Sequence, residues 1–117
     1  MEEIKWDTWY DEHLPEIIVV QKELERVLPD DLFILRKRLM FIESQYSRIG
    51  RLLADCNSIL AIMTSETDEI ATLAKIRRIR DILGVQQKAI SKRITVGQSL
   101  IKSFREEEML ARSMEKH

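Results

Sequence analysis

The sequence predicts an all-α protein, a long antiparallel helical hairpin of coiled-coil character with a shorter N-terminal helix. Gly and Pro are scarce, with three and two among 117 residues, so there is little room for hairpin turns or phosphate loops. A clear turn signal separates two long helical patterns at residues 64–68. Apolar residues also recur at alternating spacings of three and four. This spacing places them in a stripe along one side of a helix, and such a stripe has to pack against a partner helix. They are Leu32, Leu35, Leu39, Ile42, Tyr46, Ile49, Leu53, Cys56, Leu60 and Met63.

The N-terminal part is predicted to be an acidic, aromatic arm over 1–13 and a first helix over 14–28. Pro15 is accommodated in a first helical turn, and Glu16 is favoured at the positive end of a helix. The apolar side of this helix would be Ile17, Val20, Leu24 and Val27. Pro29 pushes the residue before it out of helical geometry, so it either kinks the helix or reverses the chain. A kink gives a hairpin roughly 70–75 Å long, whereas a reversal gives a short three-helix bundle.

The second helix is predicted over 30–63, capped by Asp30 with Asp31 behind it. The third is predicted over 67–115, with Ser65 or Thr67 as its cap and a possible kink at Gly84. Its main apolar side is interrupted by polar residues and runs through Leu73, Ile76, Arg80, Leu83, Gln87, Ile90, Ile94, Gly97, Ile101, Phe104 and Ala111. A second stripe lies beside it: Ile79, Ile82, Ala89, Val96 and Leu100.

One hairpin cannot cover all of these apolar residues, because two helices packed along one stripe bury little surface. The second stripe needs cover, as do six residues placed off the stripe of the second helix: Phe33, Ile34, Met40, Phe41, Leu52 and Ile59. We therefore expect the protein to be a homo-oligomer.

Composition favours one helical domain in a reducing, cytoplasmic compartment. The chain has 44% hydrophobic and 33% charged residues and a single cysteine, and no apolar stretch approaches the length of a membrane span. The acidic, aromatic start does not resemble a signal peptide. An enzyme is not expected, nor a metal site or a cofactor, because His13 and His117 sit near the chain ends and cannot be placed beside Cys56. No membrane partner is expected.

Charge is unevenly distributed along the chain. Residues 1–31 have a net charge of −7, residues 32–105 of +8 and residues 106–117 of −2. A basic body between acidic ends can bind a phosphate backbone without reading its sequence, although the same residues also suit an ordinary solvated helix exterior. The candidate nucleic-acid-binding residues are Arg48, Arg51, Arg77, Arg78, Lys88, Lys92 and Arg93.

Three aromatic residues form a second candidate site. Trp6, Trp9 and Tyr10 would share one face of a helix with His13. They suit a hydrophobic cap over the open end of the hairpin, an anchor for a protein partner, or a surface on which unpaired bases stack. The acidic residues around them argue against base stacking.

One stretch resembles a known family. Ala89-Ile90-Ser91-Lys92-Arg93, followed by apolar Val96, Leu100, Ile101 and Phe104, is similar to the C-terminal helix of the recombination mediator proteins of T4-like phages. The order of parts is also similar: a long helix containing Ile42-Glu43-Ser44-Gln45, a turn, and a long C-terminal helix. The resemblance implies small rings that bind single-stranded DNA and help to load a recombinase, with Lys92 and Arg93 as DNA contacts.

Two functional hypotheses follow. The first is a non-enzymatic oligomeric protein that binds nucleic acid, single-stranded DNA in particular, through its basic body. The alternative is a protein–protein adaptor or assembly factor that uses its coiled-coil stripes and the N-terminal Trp/Tyr arm.

Overall fold

The structure, a computed structural model, describes residues 5–115 and contains three helices: α1 (Trp6–Glu25), α2 (Leu32–Glu66) and α3 (Ile70–Glu115). Residues 5–115 contain no strand, so the predicted all-α class, with a short first helix and two long ones, is confirmed. In this range no helix has an apolar run long enough to cross a bilayer. The first four residues of the predicted arm lie outside the described residues.

Helices α2 and α3 form the antiparallel hairpin. The side chain of Asp31, rather than that of Asp30, caps α2, because its Oδ1 accepts a hydrogen bond of 2.9 Å from the backbone N–H of Ile34. In the turn, Thr67 Oγ1 accepts a hydrogen bond of 3.1 Å from the backbone N–H of Glu69. Helix α3 continues through Gly84 as one α-helix, so the chain does not break there.

The predicted start of the first helix is wrong. Helix α1 begins at Trp6, and Pro15 lies inside it. Most of the predicted arm is therefore helical. The burial of Trp6 and Trp9 in the core explains the difference, since a buried indole contributes more than the hydrogen bond that a proline removes. The helix also ends earlier than predicted, at Glu25, which leaves Val27 exposed in the connection.

Helix α1 folds back onto the hairpin, so Pro29 lies in a reversal rather than in a kink. Its contacts with α2 run in opposite chain directions, from Trp9 with Asp55 to Glu16 with Arg48. Its contacts with α3 run in the same direction: Gln86 donates a hydrogen bond to the Ile17 carbonyl, and farther along Arg93 donates one to the Leu24 carbonyl. The molecule measures 75 × 22 × 20 Å, and α3 alone spans about 69 Å of that length.

The packing of α1 against the hairpin changes which residues are buried. Leu52 and Ile59, which were predicted to lie off the main stripe, belong to the core, whereas Tyr46 is exposed. Gln86 rather than Gln87 is fully buried, because α1 covers that side of α3 and accepts the two hydrogen bonds that Gln86 Nε2 donates. A helix that packs against two neighbours buries a wider face than the narrow stripe of a two-helix coiled coil.

Candidate nucleic-acid interface

Four exposed basic side chains lie along the outer face of α3, and we call them the α3 basic stripe: Arg77, Arg78, Lys88 and Lys92. They occupy the side of the helix opposite the buried residues Ile76, Leu83 and Ile90. The stripe is about 22 Å long from Arg77 to Lys92, at 1.5 Å per residue. That length can follow several phosphates of one strand.

The stripe keeps most of its positive charge. Within residues 5–115, none of its four members forms an ion pair. Between Arg77 and Lys92 the one acid of α3 is Asp81, whose carboxylate accepts hydrogen bonds of 3.2 Å from Arg80. The stripe therefore presents cations that are free to meet phosphate oxygens.

Arg48 has a different role from the one predicted for it. Its Nε and Nη2 donate hydrogen bonds of 2.8 and 3.0 Å to the two carboxylate oxygens of Glu16. The guanidinium of Arg48 lowers the pKa of Glu16, and His13 contributes in the same direction through a contact of 2.6 Å. This ion pair joins α1 to α2. Because Glu16 neutralises the charge of Arg48, that charge does not add to the candidate interface.

Arg93 also acts within the fold. Its Nη1 donates a hydrogen bond of 3.1 Å to the carbonyl of Leu24, and its Nη2 donates one to the carbonyl of Arg26. Both carbonyls belong to the end of α1, where backbone acceptors lack partners inside the helix. Burial lowers the pKa of Arg93. Its guanidinium group thus fastens the C-terminus of α1 to α3.

The remaining predicted contact, Arg51, is exposed on α2. It makes no ion pair within the described part of the chain. The structure therefore brings Arg77, Arg78, Lys88 and Lys92 together on α3, leaves Arg51 on another helix, and engages Arg48 and Arg93 in packing.

The aromatic residues form a cap. Trp6 and Trp9 are 5% and 4% exposed, and their rings stack with centroids 5.6 Å apart. The indole N–H of Trp9 donates a hydrogen bond of 3.1 Å to Asp55 Oδ2. Tyr10 is half-buried, with the ammonium group of Lys75 at 4.3 Å from its ring centroid.

The cap lies at the closed end of the hairpin, not at the open end. Trp6 lines a small pocket together with Ile59, Met63 and Glu66, the last residues before the turn. Because Trp6 is buried beside Ile59 and Met63 at this end, helix α1 extends as far as Trp6. Of the predicted partner-binding residues, Tyr10 is the one that keeps substantial exposure.

A groove between α1 and α3 was not predicted, and we call it the α1–α3 groove. It has a volume of about 850 Å³, and its walls include Leu14, Ile18, Ile82 and Val85, with Arg77 and Arg78 beside them. The sequence carries a signal for it in the run 17–20, which holds four consecutive apolar residues. A helix can turn only about half of such a run towards its core. Ile17 and Val20 are buried, and Ile18 and Val19 are exposed.

Across residues 5–115, no three His, Cys, Asp or Glu side chains are grouped as a metal site would require. Comparison of the chain with known protein families, with curated proteins and with solved structures finds no match.

Proposed function

We propose that this chain is a non-enzymatic helical protein that binds the phosphate backbone of single-stranded nucleic acid along the outer face of α3. The observation that carries the proposal is the α3 basic stripe, whose members are exposed and form no ion pair among residues 5–115. A row of free cations on a rigid helix neutralises phosphates and releases their counterions.

Two features indicate what such binding would be like. Phe104 is the one aromatic residue in α3, and it lies beyond the stripe, so base stacking has no platform there. Binding should therefore be electrostatic and indifferent to base sequence. The similarity of residues 89–93 to the C-terminal helix of phage recombination mediators favours single-stranded DNA as the ligand, and by analogy a role in recombination.

The test is fluorescence anisotropy of a labelled single-stranded oligonucleotide across a salt titration. We expect the logarithm of affinity to fall linearly with the logarithm of salt, by about 0.7 for each phosphate contacted. With four phosphate contacts per chain, the slope of the logarithm of affinity against the logarithm of salt would be about −2.8.

A pair of charge-matched variants makes this test specific. The double variant Lys88→Glu with Lys92→Glu should weaken binding strongly and flatten the salt dependence. Arg36→Glu with Lys37→Glu changes the net charge equally, at exposed positions on α2, and should have a much smaller effect. Equal losses in both variants, or none in the first, would refute a site on α3.

The second candidate function is that of a protein–protein adaptor. The observation that favours it is the α1–α3 groove rather than the N-terminal Trp/Tyr arm. Burial of Trp6 and Trp9 favours the cap over the partner anchor, so Trp6→Ala with Trp9→Ala should destabilise the fold. The α1–α3 groove is what favours a protein contact, because it leaves apolar residues of two helices open to solvent.

A further inference from the structure

Four exposed residues of α3 line the α1–α3 groove and form a stripe of their own, which we call the groove stripe: Ala74, Arg78, Asp81 and Val85. Their spacings of four, three and four place them on one side of α3, with the period of a coiled-coil contact. Val85 is 68% exposed. A stripe with this spacing fits against another helix that lies along α3.

The groove stripe is complementary to itself. Ala74 and Val85 lie equally far from a point between positions 79 and 80, and so do Arg78 and Asp81. A twofold axis through this point, relating two antiparallel α3 helices, sets Ala74 of each copy against Val85 of the other. The same axis sets Arg78 of each copy against Asp81 of the other. A small residue therefore meets a larger one, and a cation meets an anion, twice over.

Other alignments of the same two helices lose this match. A parallel pair in register places Arg78 beside Arg78 and Asp81 beside Asp81, so like charges meet. An antiparallel pair shifted by one heptad in one direction opposes Arg78 to Lys88. The shift in the other direction leaves Arg78 and Asp81 facing Ala74 and Ala71. The charges of α3 thus favour one alignment.

The groove is centred where this alignment needs it. The α3 residues that line it run from Ala74 to Gln86, so the middle of the groove lies at residue 80, beside the axis. An α3 helix placed there lies between α1 and α3 of the other copy. It covers Ile18, which is 42% exposed on the α1 wall.

Arg77, the other arginine that lines the groove, also meets an acid in this alignment. The hydrogen bonds from Gln86 and Arg93 to α1 place each α1 residue beside the α3 residue 69 positions later. Asp11 therefore lies level with the axis. It shares the groove side of α1 with Leu14, which is three residues away. Arg77 of one copy comes within about one turn of Asp11 of the other.

The exposed area of the chain leaves room for such a contact. The accessible surface is 8449 Å². A compact monomer of 13.8 kDa exposes about 6,600 Å². The excess of about 1,800 Å² is larger than the roughly 800 Å² that each partner buries in a standard interface. In the antiparallel alignment, residues 70–89 of the two α3 helices lie side by side over about 30 Å.

We propose that two copies of the chain pair about a twofold axis, each placing its α3 helix antiparallel in the α1–α3 groove of the other. Arg80 of the same chain binds Oδ1 of Asp81, so Oδ2 can accept a hydrogen bond from Arg78 of the second copy. The pair does not rest on the proposed nucleic-acid binding, since the groove stripe includes neither Lys88 nor Lys92.

The first experiment measures the mass of the full chain by light scattering at micromolar concentration, without nucleic acid. We expect twice the 13.8 kDa of one chain. Val85→Asp should give a single chain, whereas Val96→Asp should leave the pair intact. Val96 is a matched control, because it is a 44% exposed valine three turns farther along the same side of α3, beyond residues 70–89. A single chain in the unsubstituted protein, or equal behaviour of the two variants, would overturn the proposal.

The second experiment tests the alignment by mild oxidation of single-cysteine variants. Ala74→Cys mixed with Val85→Cys should yield a cross-linked dimer of the two. Either variant alone should yield far less, because its two new cysteines lie about 16 Å apart along the pair, too far for a disulfide. Native Cys56 does not interfere, because it is buried and its pKa is raised to about 11. Equal cross-linking of one variant alone and of the mixture would contradict the antiparallel alignment.

Charge exchange between chains completes the test. Arg78→Asp and Asp81→Arg each set like charges against one another, so each variant alone should be a single chain. Mixed in equal amounts, the two variants should pair, because the aspartates of one then face the arginines of the other. A mixture that stays as single chains, with both variants folded by circular dichroism, would refute the charge pairing. Oligonucleotide binding tested with Lys88→Glu and Lys92→Glu is a separate readout, so either proposal can fail without the other.

Discussion

Replacing Gly84 and Gly97 by alanine, one at a time, tests the packing of α3 directly. The two positions lie in the same helix and undergo the same chemical change. They differ in what a new Cβ would meet. At Gly84 nothing lies within 4 Å, whereas at Gly97 the new atom would approach Leu39 Cδ1 at 2.5 Å and Leu39 Cγ at 2.9 Å, as well as Leu39 Cδ2.

The expected magnitudes follow from two opposing effects. Alanine is more favourable than glycine inside a helix by about 1 kcal/mol, and this gain applies to both variants. At Gly97 the crowding of buried Leu39 opposes it, and overpacking in a core typically costs about 1–3 kcal/mol. We therefore expect Gly84→Ala to be more stable than the unsubstituted chain and Gly97→Ala to be less stable than Gly84→Ala by about 1–3 kcal/mol.

Urea denaturation followed by circular dichroism measures both variants. With a slope of about 2 kcal/mol per molar urea, 1 kcal/mol moves the midpoint by about 0.5 M. All proteins are compared at one concentration, because self-association would make stability depend on it. Equal midpoints for the two variants would refute the close approach of α2 and α3 at Gly97. A lower midpoint for Gly84→Ala than for the unsubstituted chain would refute a regular helix at Gly84.

Three further predictions concern buried and paired groups. The pKa of Glu16 is lower in the folded chain, so the stabilisation from its pair with Arg48 is present above the unfolded pKa and is lost as pH falls through the folded pKa. Glu16→Gln should therefore lose less stability on acidification than the unsubstituted chain, as measured by urea midpoints from neutral to acidic pH. Cys56 should react with a thiol reagent slowly in the native chain and rapidly in urea, because burial raises its pKa to about 11; fast native labelling would contradict its position in the core. Arg93→Lys keeps the charge, but a lysine ammonium lacks the planar pair of donors with which Arg93 binds the carbonyls of Leu24 and Arg26. This substitution should therefore cost about 1–3 kcal/mol of stability and change oligonucleotide affinity little. A loss of affinity without a loss of stability would instead return Arg93 to the nucleic-acid interface.

The helices could be predicted from the sequence because their signals are local. The alternating apolar spacing of α2, the turn near Thr67 and the long pattern of α3 are all visible within a few residues, and the fold class follows from them. The start of α1 could not be found in this way. Pro15 indicates a first turn, and only the burial of Trp6 and Trp9 against distant residues extends the helix past it.

The candidate site shows the same division. Exposure of Arg77 and Lys88 follows from helical phase within α3, which the sequence displays. The engagement of Arg48 and Arg93 depends on where α1 lies, because their partners are Glu16 and backbone carbonyls of α1. A sequence pattern cannot tell a free cation from a paired one when the partner comes from another element. The α1–α3 groove could not be predicted for the same reason, because one of its walls belongs to α1.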